Sequence, residues 1–477
     1  MHRRTFIKKT GLLTLAASSL PTKLLAQSPG RSPAMSLRPT VEVEDQIHSF
    51  EPADNGAGPL WCHGSTVVAR EGNDVYVACL ETLPDHVPLN NCRWLLYRRT
   101  DAGWQLVHRD ETGRTREPSP VARIGNGDLL VTTNPTLAEP GQYSGPAEPA
   151  VFRFDTSDIA AAPTRELPVW RDTPAFTEHS YRTVTADGDN GEVLYMQNVG
   201  YDVAHMSFLG RDGQWQAAGT IPWPYGDEYE KPQPLRLCYP NVILRDRAAH
   251  YFGVGDIVEP VAAWQEAKFE ITQRKWDYVF RRLFYAYTPD VTSEPFCPWI
   301  EVANHDDTAG AMRNGDIYLD DDGTAHLIWC ETNTDARLRD RFFPDETIVN
   351  SLEYMTLQSG HVRTRRTLAR VAENEDALLP NLARFHVLED GTLLVLGSFG
   401  RNLPSSALPS LIYRMAAISS DGGDLNWVDI PFAQPMPGTF LTNTVRGGSA
   451  PSSTIDLVGM SAEKGNTLGY ARVRVEI

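Results

Sequence analysis

A strand–turn–strand unit returns along this chain roughly every 60 residues, and that recurrence limits the folds open to it. The first copy runs Ser65 to Leu80, with Glu71-Gly72-Asn73-Asp74 as a tight turn between two β-rich runs. Further copies are Ser119–Thr133, Arg182–Met196, Asn241–Val254, Asp316–Trp329 and Leu382–Leu396, with a weaker seventh over Thr442–Met460. Their turns centre near Gly72, Gly125, Gly188, Asp246, Gly323, Gly391 and Gly448. A second pair of strand-like runs follows each unit, as in Arg93–Arg99, Ala150–Phe154 and Arg282–Tyr287. Four strands per unit and seven units predict an all-β fold, a seven-bladed β-propeller of four-stranded antiparallel blades. Val41–Asp45 is placed to complete the last blade and close the ring. Only 258–281, around Ala262-Ala-Trp-Gln-Glu-Ala-Lys268, reads as helical.

Residues 1–26 are read as a twin-arginine signal peptide. Arg3-Arg4-Thr5-Phe6-Ile7-Lys8 precedes an apolar stretch, with Ala26 as a small residue for cleavage. Ser18, Ser19, Pro21 and Lys23 interrupt that stretch, which is unsuited to a membrane anchor. Residues 27–40 read as a linker and 41–477 as one propeller domain. A periplasmic or secreted protein is expected. Six scattered cysteines carry no metal-finger spacing and read as small buried residues, the alternative being an approach of Cys62 to Cys79 across the first hairpin. The formal charge of −17 argues against nucleic acid and an anionic membrane surface. A monomer acting on a polysaccharide or oligosaccharide is expected.

Residues just before each innermost strand converge on one mouth of a propeller. His63, Tyr181, His179 and Glu117 are the candidate catalytic groups. Arg116, Asn134, Arg182, Tyr239 and Arg313 are candidates for holding substrate. Such a set suits either of two chemistries. A lyase removes the proton α to a uronate carboxylate, with a cation on that carboxylate, a His or Tyr as base and a Tyr as acid. A hydrolase pairs Glu117 with a second carboxylate such as Glu81 or Glu331. Three arginines, Arg116, Arg182 and Arg313, also match the need of a sialidase. A carbohydrate-binding propeller without catalysis is the alternative from another class. Asp320-Asp-Asp-Gly323 sits in a hairpin turn without the calcium-loop spacing, so no metal or cofactor is expected.

Asp101-Ala-Gly-Trp104, Asp212-Gly-Gln-Trp215 and Ser419-Ser-Asp-Gly-Gly-Asp-Leu-Asn-Trp427 look like degenerate Asp boxes. On these turns and the blade repeat, the chain resembles the BNR-repeat, sialidase-like seven-bladed propellers of carbohydrate degradation. These include lyases acting on ulvan and on rhamnose–glucuronate linkages, and a related α-L-rhamnosidase family. The resemblance implies a His before the first inner strand, a Tyr-Pro with a downstream Arg in the next blade, and a Tyr in the blade after. His63 matches the first position and Tyr181 the last. Glu117-Pro-Ser-Pro120 stands where Tyr-Pro is expected, and Asn134 stands near the Arg. Tyr239-Pro240-Asn241 occurs two blades on, with Gly255 at the position of its Arg partner. The rhamnosidase relatives are thought to rely on a lone His.

Overall fold

The structure, a computed structural model, describes residues 36–86, 88–201, 203–419 and 423–477. The signal segment 1–26, most of the linker and Asp421-Gly422 of the third Asp-box turn lie outside the described residues.

Seven four-stranded antiparallel sheets make up the propeller. Each grows from the turn chemistry of its inner hairpin. In blade 1, Glu71 pairs with Asp74, so Gly72 and Asn73 alone make the bend, and Gly72 takes a positive φ of 57°. The innermost pairs of blades 1 to 6 are Val68–Glu71 with Asp74–Thr82, Val121–Ile124 with Asp128–Thr133, Thr183–Asp187 with Glu192–Val199, Leu237–Arg245 with Ala248–Gly255, Ala309–Leu319 with Thr324–Thr334, and Leu378–Val387 with Leu393–Arg401. Their side chains are buried on both faces, because each blade packs against two neighbours; Val75 to Leu80 is buried throughout.

Blade 7 is different. Phe440–Thr442 is a short inner strand, and 443–453 makes no tight hairpin before Thr454–Met460. That connection runs through the central channel. Ala186 and Arg123 donate their backbone N–H groups to the carbonyls of Arg446 and Gly447. Gly448, at φ 83°, lies so close to the Arg123 carbonyl that a Cβ has no room.

The N-terminal strand runs Arg38–Ser49 and pairs with Thr467–Glu476 as the outermost strand of blade 7. Ring closure by this segment was expected, but the strand begins before 41 and continues past Asp45. The first and last strands thereby seal one sheet and leave no open seam between them.

The predicted helix is present at Ala262–Thr272, and a second, unforeseen helix occupies Ala336–Phe342. Trp264 packs edge-on against Phe342 and Phe343 and joins the two. Under the first helix, Lys268 is fully buried between Glu259 and Asp277, 2.6 and 2.5 Å away. The Asp-box turns at 101–104 and 212–215 each link the third and fourth strands of a blade. All six cysteines are free. Among the described residues, no helix is long and apolar enough to cross a membrane.

Candidate functional site

The chain enters each inner strand at the same mouth of the channel, so the residues ahead of these strands share one space. Gly64 sets the closest approach. A Cβ there would overlap the carbonyl oxygens of Tyr239 and Pro240. This lets the start of blade 1 lie directly on the start of blade 4. As a result the His63 imidazole stacks on the Tyr239 ring at 4.2 Å between centroids. Trp61 spans Tyr181, Tyr239 and His179, with centroids 4.5, 5.6 and 5.6 Å away.

Tyr181 and Tyr239 both hold left-handed backbone conformations, φ 38° and 50°. A bulky L-residue enters that region only when its surroundings compel it, and such strain gathers at functional sites. Here two tyrosines of adjacent blades share it.

A pocket of about 480 Å3 opens at this mouth. Its polar lining comes from His63, Tyr239, Arg313, Asn314 and Thr439, and its apolar walls from Trp61, Phe280 and Met312. No Asp or Glu lines it. Arg313 donates from Nη2 to Thr439 Oγ1 at 2.6 Å and has no carboxylate partner among the described residues. Burial lowers its pKa from the usual arginine value. A largely buried cation without a counter-ion is expensive, so a pocket that keeps one is suited to an anion.

Burial, reinforced by Arg313 and Arg384, holds the His63 imidazole well below the ordinary histidine pKa. His63 is therefore neutral, and its Nδ1 is buried without a partner among the described residues. Arg384 lies directly beneath and donates to the carbonyls of His63, Gly315 and Phe440 at 2.9, 2.5 and 3.2 Å. Burial pushes the Arg384 pKa down to about 9. Burial, with Cys238 and Asp256 adding to it, raises the Tyr239 phenol, which stays protonated. The pocket thus holds a neutral imidazole, a neutral phenol and a cation.

Other expected site residues lie beside or below the pocket. Glu117 is fully buried and accepts from the Ser180 backbone N–H and hydroxyl at 3.0 and 2.5 Å. Burial pushes its carboxyl up, but His179, Arg182 and Ser180 outweigh that and leave it below its usual value. Arg182, also buried, is 3.7 Å from Glu117 and donates to Ser180 Oγ and the carbonyls of Glu117 and Pro118. Asn134 is buried between Gln197 and the Thr177 carbonyl. Glu117, Arg182 and Asn134 therefore hold blades 2 and 3 together and do not face the pocket. The Tyr181 hydroxyl donates to Asp256 at 3.0 Å and accepts from Arg236 Nη2 at 3.4 Å, and Tyr181 does not line the pocket.

His179 and Arg116 form a second group at the rim. His179 Nδ1 is 3.2 Å from both Glu117 Oε1 and Arg116 Nη1. The carboxylates considered as partners for Glu117 are engaged elsewhere: Glu81 with Arg93, and Glu331 with His305 and Trp329.

Sequence reasoning passed over Trp61, Phe280, Thr439, Arg236 and Asp256. Trp61 was detectable, two residues before His63. The others come from an insertion, a distant blade and strand ends without a motif. A second cavity, about 540 Å3, lies at the opposite mouth, where Asp320, Asp321 and Asp322 join other hairpin-turn residues. No histidine lines it. Among the described residues, no group of three His, Cys, Asp or Glu is arranged to hold a metal ion.

These features define a seven-bladed propeller with a histidine–tyrosine–arginine pocket at its inner-strand mouth. No protein-family model matches the chain, and no curated protein matches it. Among solved structures it is similar to an α-L-arabinanase of Penicillium chrysogenum complexed with arabinobiose. The identity is 12%, covering 74% of this chain and 91% of that one, with a TM-score of 0.40. It is also similar to an α-L-arabinofuranosidase of Fusarium graminearum, at 10% identity over 74% and 93% of the chains, TM-score 0.37. A protein of unknown function from Dyadobacter fermentans has 10% identity over 92% of this chain and 99% of its own, TM-score 0.37.

Proposed function

We propose that this chain cleaves an acidic polysaccharide by β-elimination at a uronate unit. One observation carries the reading: Arg313 lines the pocket beside His63 and Tyr239, with no carboxylate to pair it among the described residues. In this reading Arg313 binds the uronate carboxylate and neutralises the charge that develops on it. His63 takes the proton from the carbon α to the carboxylate. The C–H electrons form the C4–C5 double bond as the C4–O bond breaks. Tyr239 gives its proton to the departing oxygen. Solvent then returns the proton from His63 to Tyr239 and completes the cycle.

Two-carboxylate hydrolysis needs a pair of carboxyl groups flanking the bond, and among the described residues no Asp or Glu lines the pocket. In this reading His179, backed by Glu117 and 5.6 Å from the pocket-lining Trp61, contacts the next sugar unit. We also propose export by the twin-arginine route on the strength of Arg3 and Arg4. Replacing both by Lys is expected to leave the protein in the cytoplasm.

The test follows purified protein on uronate- and rhamnose-containing polysaccharides by two signals, ultraviolet absorbance of the new double bond and release of reducing ends. Both signals together, lost in His63→Ala, support elimination. Reducing ends without absorbance make the protein a hydrolase. Neither signal, with retained glycan binding, makes it a binding propeller.

A further inference from the structure

Beyond the pocket, the same face carries a second aromatic feature that the elimination chemistry does not use. Tyr201 lies in the turn after Glu192–Val199 of blade 3, and Tyr278 in the connection after Ala248–Gly255 of blade 4. Both turns follow the second strand of their blade, so both emerge at the mouth where the inner strands begin. The two rings are 49% and 38% exposed, and their hydroxyls are 3.5 Å apart.

Tyr201 is not a loosely held surface ring. The Arg236 guanidinium packs over its ring, 4.0 Å from the centroid, and also over the Tyr181 ring at 4.6 Å. Tyr181 in turn stacks on Trp61, which lines the pocket. Arg236 is only 2% exposed, and its Nε and Nη1 are buried without partners among the described residues. Burying polar N–H groups unpaired costs free energy, and the return here is a ring clamped by Arg236 with its outer face open. Asp256 pairs with Arg236, so the layered stack offers no free charge at its surface. Tyr278 extends the same wall, since Phe280, two residues along the extended segment, lines the pocket.

We propose that Tyr201 and Tyr278 form a preorganised stacking platform for a neutral pyranose ring of the glycan, at a unit remote from the cleaved bond. Resting on the reading above, this makes the substrate a chain long enough to cover pocket and platform together. A fixed ring with one free face binds at low entropic cost, because little side-chain freedom remains to be lost.

The experiment is affinity electrophoresis in gels containing ulvan or glucuronoxylan, which carry neutral units beside their uronates, with His63→Ala as the parent so that the polymer is not consumed. The parent is expected to be retarded by at least one of them. Adding Tyr201→Ala and Tyr278→Ala weakens the apparent Kd by about tenfold. Adding Tyr201→Phe and Tyr278→Phe keeps it within about twofold, since the stacking face survives. Unchanged melting temperatures establish that all variants are folded. Equal retardation of parent and alanine variant overturns the platform, as does the absence of retardation in every gel. Unsaturated product from the wild type with unchanged retardation of the alanine variant overturns the platform and leaves elimination standing. Loss of retardation with no product from the wild type upholds the platform and overturns elimination.

Discussion

His63 and Tyr239 come from blades 1 and 4, yet their rings stack 4.2 Å apart with planes 21° from parallel. A chain can place a base and an acid this close only when two inner strands begin almost in contact. The Gly64 backbone against the Tyr239 and Pro240 carbonyls provides that contact.

The two strained tyrosines are expected to separate in function. Tyr239→Phe removes the proposed proton donor and lowers kcat about a hundredfold or more. Tyr181→Phe loses the hydroxyl's bond to Asp256 and the one it accepts from Arg236, while Asp256 and Arg236 keep each other. Its kcat stays within about threefold while stability falls by about 1 kcal/mol. Initial rates of unsaturated product and denaturant midpoints read both effects.

Arg313 is expected to be the most demanding position in the pocket. Arg313→Ala lowers kcat/KM by about 10²- to 10³-fold on a uronate polymer. Arg313→Lys restores the charge without the fork that spans Thr439 and a carboxylate, and recovers only part of the loss. A neutral glycan of the same linkage is expected to bind wild type and Arg313→Ala alike in calorimetry.

Gly64→Ala tests the blade contact itself. The added methyl overlaps two carbonyl oxygens and must push blade 1 from blade 4. A stability loss of about 1–3 kcal/mol is expected, with a fall in kcat larger than the rise in KM because the His63–Tyr239 stack opens. Thermal melting and steady-state kinetics report the two effects separately.

The pH response follows from histidines whose pKa is lowered by burial. His63 sits well below 6.5, so its basic form is complete at neutral pH and the acidic limb of kcat/KM falls below 6.5. His250, buried against the Tyr285 hydroxyl at 2.6 Å, is held down to about 4. Between pH 6.5 and 4 the unfolded chain binds a proton at this position that the folded chain refuses. Stability is therefore intact above pH 6.5 and falls as pH drops through that window, by about 3 kcal/mol for His250 alone. Melting temperatures from pH 7 to pH 4 are expected to decline less steeply in His250→Gln.

Much of the architecture was legible because each blade is a local object. The turn residues at Gly72, Gly323 and Gly391, the β-rich runs beside them and the spacing between copies lie within short stretches of chain. The helix at Ala262–Thr272 was visible for the same reason. The seventh unit was faint because its channel-filling loop, held by Ala186 and Arg123, replaces turn chemistry with long-range backbone pairing. The second helix lies in a short connection and is held by Trp264 of the first.

The candidate site was legible in part. His63 precedes an inner strand, and Tyr239 and Arg313 lie in the first half of theirs, so blade counting was enough to bring them to one mouth. Their depth was not readable. Glu117 and Arg182 belong to the same set by position, yet they are buried against Ser180 and the carbonyls of Glu117 and Pro118. Whether a side chain at a strand start faces the pocket or the blade interface depends on the neighbouring blade, which is distant in sequence.

Sequence alone determined the number of blades, the four-strand pattern and the group of residues that meets at one mouth, since these follow from local periodicity and chain connectivity. Tertiary structure decided which of those residues share a pocket and in what charge state. Contacts across the ring, such as Gly64 against Tyr239 and Arg384 beneath His63, govern burial, and burial governs which groups stay neutral, paired or free to meet a ligand.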